Sequence, residues 1–207
     1  MNTKSVLFGF VLGIAVLMAG HAVSQEEESV GPHDPTGMDP AEMMQRWQEA
    51  RTPGKQHEEL AKMIGEWEFE MSVDMGGGAM VSKGTAKIEW LIEGLFIGNR
   101  GSGTMMGMPY ESYAITGFDN FRKHHVTAAV DSLNSHILRM EGTRDREGAI
   151  HYWGRMDEPT TGEVGKMVRS TVKHISDDEF TMDVYDHSMS PGEESKVVSF
   201  RYKRKGS

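Results

Sequence analysis

The chain contains no cysteine. That absence excludes disulfides, thiolate catalysis and cysteine-based metal sites, and with them the lipid-modified N-terminus of a bacterial lipoprotein. An exported chain without disulfides is held by core burial alone, which suits a bacterial envelope better than a small animal secreted domain. Long apolar runs are also lacking. The best candidate, Val6 to Ala19 in "MNTKSVLFGFVLGIAVLMAGHAVSQEEE", falls short of the ~20 residues that span a bilayer. It follows Lys4 and precedes the small residues Ala22-Val23-Ser24 and an acidic stretch. This is the order of a secretory signal peptide over residues 1–24, cleaved after Ser24 or Ala22, with an uncleaved anchor as the alternative. The expectation is an exported protein, periplasmic or secreted, with no stable membrane span after cleavage.

Positive charge is scarce. Lys and Arg number 22 against 31 Asp and Glu, for a net charge of −9. Removing residues 1–24 removes Lys4 and no acid, so the mature chain, one positive charge fewer, is near −10. Such a chain repels phosphates, which argues against nucleic acid as a partner. The basic end "RYKRKGS" reads as a terminal strand and a solvated tail. Motifs of catalysis are missing too. "RGSGT" around Ser102 has no G-x-S-x-G frame and no strand-to-helix context. The glycines there and in "MGGGAM" lack the βαβ setting of a phosphate loop, and no H-x-H or H-E-x-x-H spacing occurs.

What is present divides into three parts. Residues 25–39, "QEEESVGPHDPTGMD", are acidic with Pro and Gly and read as a flexible linker. From residue 40 to 207 a single domain is expected. "DPAEMMQRWQEAR" is a helix, with Asp39 as cap, Pro40 at the first position and Met43, Met44 and Trp47 on one face. "TPGKQHEELAKMIG" is a second short helix, with Thr52 as cap and Gly65 closing it. After Gly65 the period becomes two. Trp67, Phe69, Met71 and Val73 share one face and Glu66, Glu68 and Glu70 the other; Ala86, Ile88, Trp90 and Ile92 share a face in the next run. Further strands are expected near 95–106, 110–118, 123–131, 135–142, 148–155, 165–175, 179–187 and 196–204, separated by turns such as "FDNF", "DSLNS" and "EPTTGE". About ten short antiparallel strands bury one face and hide their edges most economically in an up-and-down β-barrel.

A helix leading into Gly65-Glu66-Trp67 resembles the lipocalin and fatty-acid-binding-protein superfamily. There the Trp plugs one end of the barrel and a basic residue of the last strand packs across it, here Arg201 or Arg204. The order "LAKMIGEWE", "SKGTA", "MMGMPYE", "ITGFDN", "VDS", "EGT" and "RYKRK", over about residues 43 to 204, is similar to the bacterial domain-of-unknown-function 1579 family. That resemblance implies a lipocalin-like, calycin-type barrel with no established activity. It also implies a large aromatic in the strand before "DS" in many members, where this chain has Ala129; if that position lines the cavity, this member has a roomier one.

The expected function is binding of one small apolar or amphipathic ligand inside the barrel. Expected lining residues are Trp90, Phe96, Tyr113, His125, Asp131, Met140 and Tyr152, although parity alone does not say which face of each strand is inside. A barrel enzyme is the alternative, with His125 and Asp131 on one face of one strand as an acid/base pair. Asp131 has a second reading as the cap of the "DSLNS" turn. No cofactor and no metal are expected. Copper is a minor alternative through the thioethers Met105, Met106 and Met108, which also read as turn and core filler. So is haem, as in the nitrobindin-like relatives of the superfamily, with His174 and His187 the nearest analogues by position. The adjacent His124 and His125 face opposite sides, and His136 and His151 lie elsewhere; each reads as a surface or singly hydrogen-bonded histidine. Ligand identity and oligomeric state are not legible.

Overall fold

The structure is a computed structural model that describes residues 37–74, 77–190 and 193–207. The expected signal peptide, and the expected linker up to residue 36, lie outside the described residues. Two helices, α1 (Pro40–Arg51) and α2 (Lys55–Ala61), precede ten strands. These are β1 (Gly65–Val73), β2 (Met80–Ile92), β3 (Phe96–Met105), β4 (Met108–Asp119), β5 (His124–Asp131), β6 (Leu138–Arg144), β7 (Ile150–Glu158), β8 (Glu163–Ser176), β9 (Glu179–Ser190) and β10 (Glu193–Arg204). Each strand pairs antiparallel with its neighbours in sequence, and β1 pairs with β10 to close the barrel. No helix among the described residues is long and apolar enough to cross a membrane.

Alternation in β1 sets the inside. Trp67, Phe69, Met71 and Val73 are buried while Glu66, Glu68 and Glu70 are exposed. The register carries this face around the ring: Trp67 lies opposite Arg204, Phe69 opposite Tyr202 and Met71 opposite Phe200. Tyr202 in turn lies opposite Phe180 on β9. The interior on this side is an aromatic stack. Phe180 and Tyr202 are parallel at 4.3 Å, and Trp67 meets Phe180 edge-on at 4.8 Å. Phe69 fits because Gly84 faces it on β2, where a Cβ would collide with its ring. A smaller core of Met140, Ile150, Tyr152 and Val168 joins β6, β7 and β8.

The helices depart from the sequence reading in three details. Thr52 does not cap α2; its hydroxyl donates to Gln48 O at the end of α1. Gly54 holds the cap position instead, its N–H donating to His57 Nδ1 at 3.1 Å. Gly65 does not terminate α2, which ends at Ala61 with Met63 and Ile64 N–H turned back to Leu60 and Ala61 carbonyls. Gly65 opens β1 at φ +142°, where a Cβ would collide with Arg204 Nη1. Met43, Met44 and Trp47 of α1 are exposed, and no residue of that helix is buried.

Arg204 is the basic partner of Trp67, with its guanidinium carbon 4.3 Å from the ring centre. Arg201, the other candidate, points outward and pairs with Glu179. Arg204 also donates to Ile64 O at 2.9 Å, Lys62 O at 3.1 Å, Asp177 O at 2.8 Å and Asp178 Oδ1 at 2.9 Å. Trp67 Nε1 donates to Met63 O at 2.9 Å. The α2–β1 turn, the β8–β9 turn and the end of β10 are thereby tied together. Because Asp178 is exposed, the carbonyl bonds carry most of the effect. Arg204→Lys keeps the charge and loses the fork, and should lower stability by about 2–3 kcal/mol in urea unfolding. A loss of under about 0.5 kcal/mol would show that the fork does not hold this end together.

Candidate functional site

The barrel interior is not evenly filled. Of the inward side chains of β4 and β5, only His125 is buried; Ala114, Thr116, Thr127 and Ala129 point inward and keep accessible surface. Ala114 lies opposite Ala129, and Thr116 opposite Thr127, their hydroxyls 3.0 Å apart. Side chains this short fill less of the interior than the aromatic rings of the far wall, while Tyr110, inward at the start of β4 opposite Gly103, comes within electrostatic reach of Tyr202.

At the α2 end of this wall lies a half-open cavity of about 490 Å³, lined by Gly54, Lys55, Gln56, Phe118, Asn120, Lys123, His125, Thr143 and Arg144. Its parts are held by local turns. Asn120 Nδ2 donates to Ala50 O at 3.1 Å and Thr52 O at 2.7 Å, which pins the α1–α2 connection over the β4–β5 turn. Asp119 Oδ1 accepts from the N–H groups of Phe121 and Arg122, and the turn ends with Lys123 at φ +60°. His125 lies opposite Phe118 and packs edge-on against it at 5.0 Å; His57 of α2 also meets Phe118 edge-on, at 5.9 Å. Arg144 faces inward from the end of β6 and donates through Nη1 to Gly148 O at 2.7 Å.

Six buried side-chain polar atoms lack a partner among the described residues, and four of them belong to this cavity: Gln56 Oε1, His125 Nδ1, His125 Nε2 and Arg144 Nε. Buried polar atoms are nearly always hydrogen-bonded, and an orphan costs about 1–3 kcal/mol. Four around one cavity mark a place where something else completes the bonding.

Placement of the expected site residues is mixed. Trp90, His125, Met140 and Tyr152 face inward. Phe96 and Tyr113 do not. Phe96 lies outside over Gly117, and Tyr113 stacks outside with Arg100 at 5.6 Å. The face changes between Trp90 and Phe96 because a bulge between Trp90 and Ile92 breaks the alternation. Asp131 sits at the other end of β5, where its Oδ1 accepts from Leu133 N–H at 2.8 Å and caps the turn. Six residues of strand separate it from His125, about 20 Å at ~3.3 Å per residue, so the two cannot share a proton. Lys55, Gln56, Lys123 and Arg144 were not anticipated; turn and helix-start positions carry no periodicity that would reveal them.

Met105 packs against the core, while Met106 and Met108 are exposed at the β3–β4 turn. His174 faces inward beside Phe180, and the side chain of His187 lies outside the described residues. No group of three or more His, Asp or Glu able to hold a metal ion occurs among the described residues.

Residues 52–204 match the family described as protein of unknown function (DUF1579). The chain belongs to that family. No curated protein matches the chain. Among solved structures it is similar to a chain described as a de novo design of a fluorescence-activating beta barrel, at 15% identity and a TM-score of 0.40, covering 70% of this chain and 96% of that one. In this DUF1579 member the interior chemistry therefore has to be read from its own residues.

His125 is the most distinctive of them. Burial, then the nearby Arg144 guanidinium and the His57 ring, push its pKa down to about 4, so the ring is neutral in the folded protein at neutral pH. The unfolded chain takes up that proton near the ordinary value of about 6.5. Stability should therefore fall as pH falls from about 6.5 to about 4, by up to about 3 kcal/mol, and this contribution is flat outside that window. His174, also lowered by burial, acts in the same direction. Urea unfolding at about pH 7 and about pH 4 measures the loss; the drop should be smaller in His125→Leu, and an equal drop in both proteins would show that His125 is not the group responsible.

Proposed function

We propose that this protein is a binding barrel that holds a small apolar or amphipathic ligand against the β4–β5 wall. One observation carries the reading: the inward side chains Ala114, Thr116, Thr127 and Ala129 are short and only partly buried, in a closed barrel whose other walls are packed with large apolar groups. Ligand sites have this make-up, concave and mostly apolar with a few placed polar groups. Around the space stand Trp90, Met140 and Tyr152 as apolar surface, with the Thr116–Thr127 pair as polar points. Export is part of the proposal, supported by the basic, apolar and small-residue order of residues 1–24, and makes the cell envelope the source of the ligand.

Filling the space tests the reading. In a packed core an added large side chain costs about 1–3 kcal/mol. Ala129→Trp should instead leave the urea midpoint unchanged or higher, and should weaken binding of the neutral fluorescent probe N-phenyl-1-naphthylamine by about tenfold or more. A destabilised variant would show that the wall is packed after all. A stable variant with unchanged probe affinity would show that ligands do not lie there.

A further inference from the structure

The cavity at the α2 end has a charge opposite to that of the chain. Its lining contains Lys55, Lys123 and Arg144 and no Asp or Glu, in a protein of net charge −9. None of the three cations has a carboxylate partner among the described residues. Glu59, the carboxylate of α2 that feels Arg144, is committed to Lys62 at 2.9 Å. Arg144 spends one N–H on Gly148 O and leaves Nε buried without an acceptor. His125, only 1% exposed, turns two unpartnered ring nitrogens into the same region.

These features complement one another. An orphaned Arg N–H needs an acceptor, and cations without counter-charge favour an acceptor that is ionised. A neutral His125 donates from one ring nitrogen, which adds a second bond to the same group. Water would satisfy the hydrogen bonds but would leave the positive charges uncompensated. Lys55 and Lys123 stand at the exposed rim, from α2 and the β4–β5 turn, while Arg144 and His125 lie deeper on β6 and β5. Charge is thus distributed from the mouth inward, and the uncharged β4–β5 wall continues beyond His125.

We propose that this cavity receives the anionic head group, a carboxylate or a phosphate, of the amphipathic ligand, with Arg144 and His125 as its inner partners and Lys55 and Lys123 at the rim. The proposal rests on the reading of the barrel as a ligand binder and adds the class of ligand. It also fixes an orientation: the charged head lies at the α2 end and the apolar tail runs along Thr127 and Ala129.

Three probes of equal chain length separate the two readings: decanoate, decyl phosphate and decanol, each measured by displacement of N-phenyl-1-naphthylamine from the full mature chain. One or both anions should bind about tenfold or more tightly than decanol, and the stronger of the two identifies the head group. Arg144→Gln should remove most of that preference and leave decanol within about twofold. Should that variant not fold, Lys55→Gln/Lys123→Gln, with both changes at exposed positions, should reduce the preference and its sensitivity to salt. Equal binding of all three probes, or a preference that survives both variants, would overturn the head-group inference while leaving the binding barrel standing. Binding of none would overturn both.

Discussion

The guanidinium of Arg204 is the point on which the rest of the structure depends. A ten-strand meander closes only if its first and last strands meet, and β1 and β10 meet with Trp67 opposite Arg204. The ladder alone would hold two backbones together and leave the barrel end open. Arg204 adds the covering: it lies over the indole and gathers carbonyls from the α2–β1 and β8–β9 turns. A cation over an indole contributes about 0.5–2 kcal/mol, and each satisfied carbonyl adds its own bond. Gly65 is part of the same device, because only a residue without Cβ lets the guanidinium pass. Through this junction α2 is fixed over the barrel end, and with α2 come Lys55, Gln56 and His57.

That clasp permits an asymmetric interior. Aromatic rings on β1, β9 and β10 pack one side, and the second core spans β6 to β8. β4 and β5 contribute no buried apolar side chain. A wall of Ala and Thr makes fewer contacts than one of large apolar side chains, which costs stability. The wall nevertheless keeps its place through backbone pairing with β3 and β6, so this side of the barrel persists with little packing of its own. Departures from good packing of this kind are where binding surfaces arise in otherwise consistent folds.

The same asymmetry explains what was legible in the sequence. β1 alternates large apolar with acidic residues, so its inner face, the Trp67 plug and the ten-strand meander follow directly from the period. β4 misleads at Tyr113 because its pattern is inverted in the middle of the strand, between the inward Tyr110 and Phe118. Tyr113 and Ile115 point outward, whereas Ser112, Ala114 and Thr116 point inward. A reading that places the larger residues inside fails where short side chains line the inside. Phe96 was misassigned for a different reason, since the bulge after Trp90 resets parity without any marker in the residues themselves. Arg204 rather than Arg201, and Gly54 rather than Thr52, are differences of a few residues that register and turn geometry settle. His125 was found because a histidine on an apolar strand stands out. The neighbours that lower its pKa are Arg144, brought near by the β5–β6 pairing, and His57 of α2, while the same-strand Asp131 lies at the far end.

Long-range electrostatics works against anion binding here. A chain of net charge −9 repels anions at a distance, and salt screens that repulsion beyond about 8 Å at physiological ionic strength. The proposed recognition at the α2 end would therefore depend on short-range contacts in a partly dehydrated site, where an unpartnered Arg N–H and a neutral imidazole matter more than net charge. The unpartnered polar atoms of this cavity count against folding, and a ligand completing them would bind the folded state alone. The barrel should then gain stability with ligand concentration as mass action requires. Sparse packing along β4 and β5 and the proposed binding would then have one origin, the short side chains of that wall.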